Sequence, residues 1–135
     1  MISESSMRTL RYVYLAVALL SLLSATFGAT PDRDAEWRKL LVGKWFVETG
    51  TRRTELSNNE DGTFSSRTTI DGKEAWTTSG GWSVKDGRLN GIYRKASIPD
   101  FPIGEVDSSK LIEVTKDYYV IENRNDVTKK YQRVK

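Results

Sequence analysis

Tight-turn dipeptides recur along the chain after residue 57, and their close spacing limits the fold more than any other feature. They are Asn58-Asn59, Asp61-Gly62, Asp71-Gly72, Gly80-Gly81, Asp86-Gly87 and Asn125-Asp126. Asp-Gly and Gly-Gly pairs accept the positive φ angles that two-residue hairpin turns require. The intervals between them are too short for crossover helices, so successive strands must run antiparallel. The spacing therefore predicts a β-meander.

Short segments rich in Thr, Val, Ile, Tyr and Trp fill these intervals, and such residues favour strands. The predicted strands cover 43–49, 51–57, 63–70, 73–79, 81–85, 88–95, 109–115, 118–124 and 127–134. Alternation places certain apolar pairs on one face. These pairs are Trp45 with Val47, Phe64 with Ile70, Trp82 with Val84, Leu89 with Tyr93, and Tyr119 with Ile121.

A single sheet of eight or nine such strands would leave two bare edges, which invite association with other chains. Closure into a barrel removes both edges. The sequence therefore predicts an all-β domain over residues 43–135, an antiparallel up-and-down meander closed into a small barrel of about eight strands. A two-sheet β-sandwich is the alternative.

Residues 29–42 carry signals of a short helix that leads into this domain. Pro31 suits a first turn, and acidic residues follow it. Trp37, Leu40 and Leu41 fall on one face. Because so short a helix is not stable alone, this face is predicted to pack on the rest of the domain. A membrane-proximal stalk is the alternative.

Residues 1–28 have the composition of a secretory signal peptide. Arg8 and Arg11 precede an uncharged apolar run over 12–23, and small residues follow it up to Gly28. Cleavage is predicted after Gly28, which makes the protein secreted or periplasmic. The alternative is an uncleaved membrane anchor, and the leader would then be the protein's only membrane contact.

The remaining composition argues against several classes of function. Without residues 1–28 the chain has 19 basic and 17 acidic side chains, a balance that does not favour nucleic-acid binding. Histidine and cysteine are absent, which removes Ser-His-Asp triads, thiol nucleophiles, disulfides and the usual zinc and iron sites. The sequence predicts neither an enzyme nor a resident metal or cofactor.

Basic residues of the first and last strands form one further candidate group. In a closed barrel the last strand can pair with the first, which would bring Lys129, Lys130 and Arg133 towards Arg52 and Arg53. Such a local positive patch could contact a polyanion, although a solvated charged face is the default interpretation.

Gly43 and Trp45 on the first strand, with Arg133 on the last, resemble the arrangement of the lipocalins, and most of all of small bacterial lipocalin-like domains. In that family the tryptophan closes one end of the barrel and the arginine packs across it. The resemblance implies a structural role for these three residues. Gly81-Trp82 repeats the same glycine–tryptophan pattern halfway along the domain.

One segment, residues 95–107, interrupts the meander. It contains two of the three prolines of the chain and the apolar residues Ile98, Phe101 and Ile103. Long loops in small domains are often functional. The segment is predicted to be a lid over the barrel, a docking loop or a packed Ω-loop.

Two functions remain open. The first is binding of a small apolar or amphipathic ligand in the barrel. Its candidate contacts are Ser66, Thr68, Trp76, Tyr93, Phe101 and Tyr119. The second is a protein-interaction or inhibitor module of the cell envelope, with a filled barrel, no ligand and residues 95–107 as the contact surface.

Overall fold

The computed structural model describes residues 31–135, so the predicted leader over 1–28 lies outside the described residues. Helix α1 (Pro31–Leu41) precedes eight strands. They are β1 (Gly43–Thr49), β2 (Arg52–Asn58), β3 (Thr63–Ile70), β4 (Lys73–Lys85), β5 (Arg88–Ala96), β6 (Val106–Val114), β7 (Tyr118–Glu122) and β8 (Thr128–Arg133). No helix in this part of the chain is both long and apolar enough to span a bilayer.

Each strand pairs antiparallel with the next, and β8 returns to pair with β1. The sheet is thus a closed eight-stranded meander, which confirms the predicted barrel over the sandwich. The β1–β8 seam is short, with Trp45 opposite Arg133 and Phe46 opposite Gln132. Closure satisfies backbone groups that an open sheet would leave at its edges.

Two of the turn dipeptides adopt the predicted conformation. Asp71 and Gly72 have φ angles of 53° and 77°, and Asp86 and Gly87 have φ angles of 53° and 71°. Both central residues are therefore left-handed, as a type I′ hairpin requires. These turns connect β3 to β4 and β4 to β5.

The predicted turn at Gly80-Gly81 is wrong, because both glycines lie inside the continuous 13-residue strand β4. The pairing register shifts between Ser79 and Gly80, which marks a β-bulge. A Cβ atom at Gly80 would overlap the carbonyl oxygen of Ile92 on β5. Glycine is needed here because β5 approaches the β4 backbone too closely for any side chain.

The interruption over residues 95–107 is also shorter than predicted. Strand β6 begins at Val106, where Val106 pairs with Ile92 and Asp107 pairs with Gly91. The irregular segment between β5 and β6 is therefore residues 97–105. Sequence alternation missed the start of β6 because its first residues are mostly polar, although they pair with β5.

Helix α1 closes one end of the barrel. Leu41, at its end, is fully buried, and Trp37 packs against the same core. The carboxylate of Asp34 accepts hydrogen bonds from the backbone N–H groups of Asp86, at 2.7 Å, and Gly87, at 2.9 Å. Contacts with the β4–β5 turn therefore stabilise a helix that would not form alone.

The buried apolar core lies mostly in the half of the barrel nearest α1. It consists of Leu41, Trp45, Phe64, Trp82, Leu111, Tyr119 and Ile121. The other half is not filled in this way, and its inward side chains border open space.

Candidate functional site

The end of the barrel beside α1 is closed by Trp45 and Arg133. The Arg133 guanidinium lies 4.1 Å from the centre of the Trp45 ring. It donates hydrogen bonds to the carbonyl oxygens of Leu40, at 2.7 Å, and Val42, at 3.1 Å. Gly43 has a φ of 131°, and a Cβ there would overlap the guanidinium. These contacts place the three residues as a closure of the barrel.

Trp82 forms a second anchor at the same end. Its indole N–H donates to the carbonyl oxygen of Asn59 at 2.9 Å, and the side chain is 7% exposed. The guanidinium of Arg38, from α1, lies 4.9 Å from the ring centre. The two tryptophans thus have similar surroundings, but the arginine over Trp82 comes from the helix and the arginine over Trp45 comes from β8.

The opposite half of the barrel contains a cavity of about 600 Å³, here called the mouth cavity. It opens between the β1–β2 and β3–β4 hairpins and the segment over residues 97–105, since its lining includes Thr51, Ile70 and Phe101. Four aromatic rings and six Ser or Thr side chains line it, with two aliphatic and three charged residues. The wall is therefore amphipathic.

Five of the six predicted ligand contacts meet at this cavity. They are Ser66, Thr68, Trp76, Tyr93 and Phe101. The Phe101 ring packs edge-to-face on Tyr93, with 4.9 Å between ring centres. The loop therefore folds one aromatic side chain back over the barrel opening, while Ile98 and Ile103 stay 37% and 52% exposed.

The sixth predicted contact, Tyr119, lies deeper. It lines a narrower space of about 140 Å³, here called the inner chamber, together with Asn58, Asn90 and Ser109. Five residues line both spaces and form a neck between them. They are Thr54, Ser66, Tyr93, Asp107 and Tyr131.

Hydroxyl groups on the cavity wall pair with one another. The Thr54 and Thr68 hydroxyls are 2.9 Å apart, and the Ser66 and Thr78 hydroxyls also share a hydrogen bond. The buried hydroxyl of Tyr119 differs, because it has no hydrogen-bond partner among the described residues. Buried polar groups are rarely left unpaired in folded proteins.

Charged side chains are divided between the two ends of the barrel. Arg52 and Lys129 line the mouth cavity, and the Arg52 guanidinium lies 5.2 Å from the Trp76 ring centre. Arg53 instead forms ion pairs with Glu48 and Glu55. These basic residues therefore do not form a single patch, because Arg133 lies at the closed end and Arg53 is paired with two carboxylates.

Carboxylates do not cluster into a metal site within residues 31–135. Glu74 and Glu113 are exposed, and Glu113 accepts a hydrogen bond from the Tyr118 hydroxyl at 2.7 Å. That bond raises the pKa of Tyr118, because the neutral hydroxyl is the form that donates.

Burial changes the acidity of the tyrosines inside the barrel. It raises the pKa of Tyr131 to about 12, with smaller contributions from Tyr93 and Asp107. Burial likewise raises the pKa of Tyr119 well above 10, and Tyr131 contributes to this shift. Both rings therefore stay neutral in the folded protein at pH values where an unfolded chain ionises them.

The raised pKa of Tyr131 predicts that the barrel becomes less stable at alkaline pH. Because the folded pKa of Tyr131 is raised above the unfolded value near 10, its contribution is fully present below pH 10 and is lost as the pH rises towards 12. Because of Tyr131, we expect the free energy of unfolding to be roughly 1 kcal/mol lower at pH 11 than at pH 9. Urea titrations of the wild type and Tyr131→Phe at both pH values measure this cost. An equal alkaline loss in both proteins would contradict the assignment.

The sequence did not mark Asp107 and Tyr131 as site residues. Tyr131 could have been found, because it lies two residues before Arg133 and strand alternation puts both on the inner face. Lys129 lies two residues before Tyr131, so alternation places it on the inner face as well. Asp107 gave no signal, since its strand was predicted to begin two residues later.

No family model and no curated protein sequence matches the chain. Among solved structures, it is similar to a lipocalin-like protein from Bacteroides uniformis, with a TM-score of 0.53 and 16% sequence identity. The match covers 70% of this chain and 99% of that chain. The closed eight-stranded meander, the short helix before it and this similarity show that residues 31–135 fold as a lipocalin-like barrel domain.

Proposed function

We propose that the protein is an exported lipocalin-like binding protein that holds a small amphipathic ligand inside its barrel. The observation that carries this proposal is the mouth cavity, because the buried core occupies most of one half of the barrel and about 600 Å³ stays open in the other. Pockets for small molecules typically have volumes of about 300–1,000 Å³. Export is supported by the composition of residues 1–28.

The lining favours an amphipathic ligand over a purely apolar one. Trp76, Phe101 and Tyr93 offer aromatic surface, whereas Arg52 and Lys129 offer charged hydrogen-bond donors. A hydrocarbon chain would leave these polar groups without partners on binding, which costs free energy. A ligand with both an apolar body and polar groups would satisfy both parts of the wall.

A tryptophan placed at the neck tests this proposal. Ser66 lines both spaces, so Ser66→Trp should fill the passage between them. We expect its affinity for the uncharged dye Nile red to fall by about tenfold or more, because bulk in the cavity excludes the dye. Fluorescence titration of the full-length protein measures the affinity.

The matched control is Thr128→Trp, since Thr128 is exposed on β8 and lines neither of these spaces. It should bind Nile red as the wild type does. Circular dichroism melts of both variants establish that they are folded. Equal dye affinity in Ser66→Trp and the wild type would place the dye outside the barrel and contradict the proposal.

Exposed apolar side chains favour a second candidate function, a protein-interaction or inhibitor module of the cell envelope. Ile98, Ile103 and Val106 are 37%, 52% and 61% exposed, and all lie in or beside the irregular segment after β5. Absence of Nile red binding to the wild type would favour this function over ligand binding.

A further inference from the structure

Among residues 31–135, Asp107 is the only charged residue that lines the inner chamber, and it also lines the mouth cavity. Its carboxylate forms no ion pair within residues 31–135. Arg52 and Lys129 line the mouth cavity but not the inner chamber. A ligand that enters the neck therefore meets a negative charge there, while the two cations stay nearer the opening.

Aromatic rings accompany this carboxylate. Tyr93 and Tyr131 line both spaces with Asp107, and Phe101 packs against Tyr93. Asp107 is close enough to both tyrosines to affect their acidity. Tyr119 stacks on one face of Tyr131, with ring centres 4.7 Å apart and planes 1° from parallel. Carboxylates and aromatic rings together attract organic ammonium groups, through charge-assisted hydrogen bonds and cation–π contacts.

The inner chamber contains the second feature that points to a ligand. Tyr119 lines the chamber together with Asn90 and Ser109, and its hydroxyl is buried without a partner among the described residues. A phenol hydroxyl can accept a hydrogen bond from an ammonium N–H. The chamber volume of about 140 Å³ is that of about four or five water molecules, which is enough for a compact polar head.

We propose that the barrel binds an organic amine whose ammonium head enters the neck and inner chamber beside Asp107 and the Tyr119 hydroxyl. Its aromatic or apolar body lies in the mouth cavity along Trp76 and Phe101. This inference rests on the proposed function, since it assigns the class of ligand for the same cavity. A carboxylate head in the neck would be repelled by Asp107 and would find no cation in the inner chamber.

Three matched compounds test the charge of the head. They are 2-phenylethylamine, 2-phenylethanol and phenylacetate, which share a phenyl ring and differ in the polar group. Isothermal titration of the full-length protein, after organic extraction of any retained ligand, measures each affinity at pH 7.5. We expect the amine to bind about tenfold or more tightly than the alcohol, and phenylacetate to bind most weakly.

Asp107→Asn should reduce amine affinity about tenfold or more and leave the affinity for 2-phenylethanol unchanged. The matched control is Asp117→Asn, which makes the same change of charge on an exposed turn outside both cavities. Tyr119→Phe is a second variant, which keeps the ring that packs on Trp45 and removes the hydroxyl. It should weaken amine binding, because the ammonium group loses one hydrogen-bond acceptor.

The outcomes separate this inference from the proposed function. Tightest binding of the amine, with dependence on Asp107, supports it. If the alcohol or phenylacetate binds as tightly as the amine, the ammonium inference is overturned, but the proposal that the barrel binds a ligand stands. If Nile red binds but none of the three compounds does, the ammonium inference is overturned and the proposed binding function stands. If neither Nile red nor any of the three binds the wild type, both proposals fail.

Discussion

Replacement of Trp45 by alanine is expected to lower the free energy of unfolding by about 3 to 5 kcal/mol. The indole is fully buried, and it packs edge-to-face on Tyr119 with ring centres 4.9 Å apart. Its N–H donates to the Leu41 carbonyl oxygen at 2.9 Å. The variant would leave a large void between α1 and the barrel and would remove the ring beneath the Arg133 guanidinium. Urea denaturation followed by circular dichroism measures the loss.

Trp76→Ala is the matched control, because Trp76 has the same side chain but lies partly exposed beside the mouth cavity. We expect it to change stability by about 1 kcal/mol or less and to weaken Nile red binding. If both variants lost equal stability, or if Trp45→Ala lost dye affinity alone, Trp45 would be part of the binding wall and not the closure of the barrel.

Gly80→Ala should cost at least about 3 kcal/mol, the upper end of the range for overpacked interiors. The added methyl would overlap the backbone carbonyl oxygen of Ile92, and the Phe64 ring lies 3.1 Å from the same position. Backbone cannot rotate away as a flexible side chain can, so β4 and β5 would have to separate at their bulge. Thermal and urea unfolding of the variant measure the cost.

Gly91→Ala provides the control on the neighbouring strand. The nearest atom to its added methyl would be the Gly81 carbonyl oxygen at 3.9 Å, an ordinary van der Waals distance. We expect a change within about 1 kcal/mol, since alanine also has the lower backbone entropy cost. Similar losses in the two variants would show that the close approach at Gly80 has no special energetic role.

The turns and the barrel could be predicted because they depend on local preferences. Asp71-Gly72 and Asp86-Gly87 adopt left-handed angles that few other residue pairs accept, and those angles reverse the chain wherever they occur. Alternation along short strands then placed Trp45, Phe64 and Tyr119 inside. Neither inference required knowledge of which strands meet across the barrel.

Gly80-Gly81 shows where local reasoning failed. Two glycines are equally compatible with a hairpin turn and with a bulge inside a strand. The choice depended on Ile92, which is distant in sequence and reaches Gly80 only when β4 and β5 are paired.

The candidate site was predictable to a similar degree. Ser66, Thr68, Trp76 and Tyr93 were predicted as ligand contacts, and they line the same cavity. Asp107 was missed because its place at the neck depends on pairing with Gly91 on β5, a contact that a run of polar residues does not indicate.

By itself the sequence determined the order of the strands, the tight turns between them and the face on which most side chains lie, because these follow from backbone preferences and from the two-residue period of a strand. Only the tertiary structure decided which end of the barrel α1 closes, how much of the interior stays open, and where Asp107 and the unpaired Tyr119 hydroxyl lie within it. These features depend on the volumes and registers of side chains from strands far apart in sequence. Those side chains come into contact only when β8 pairs with β1.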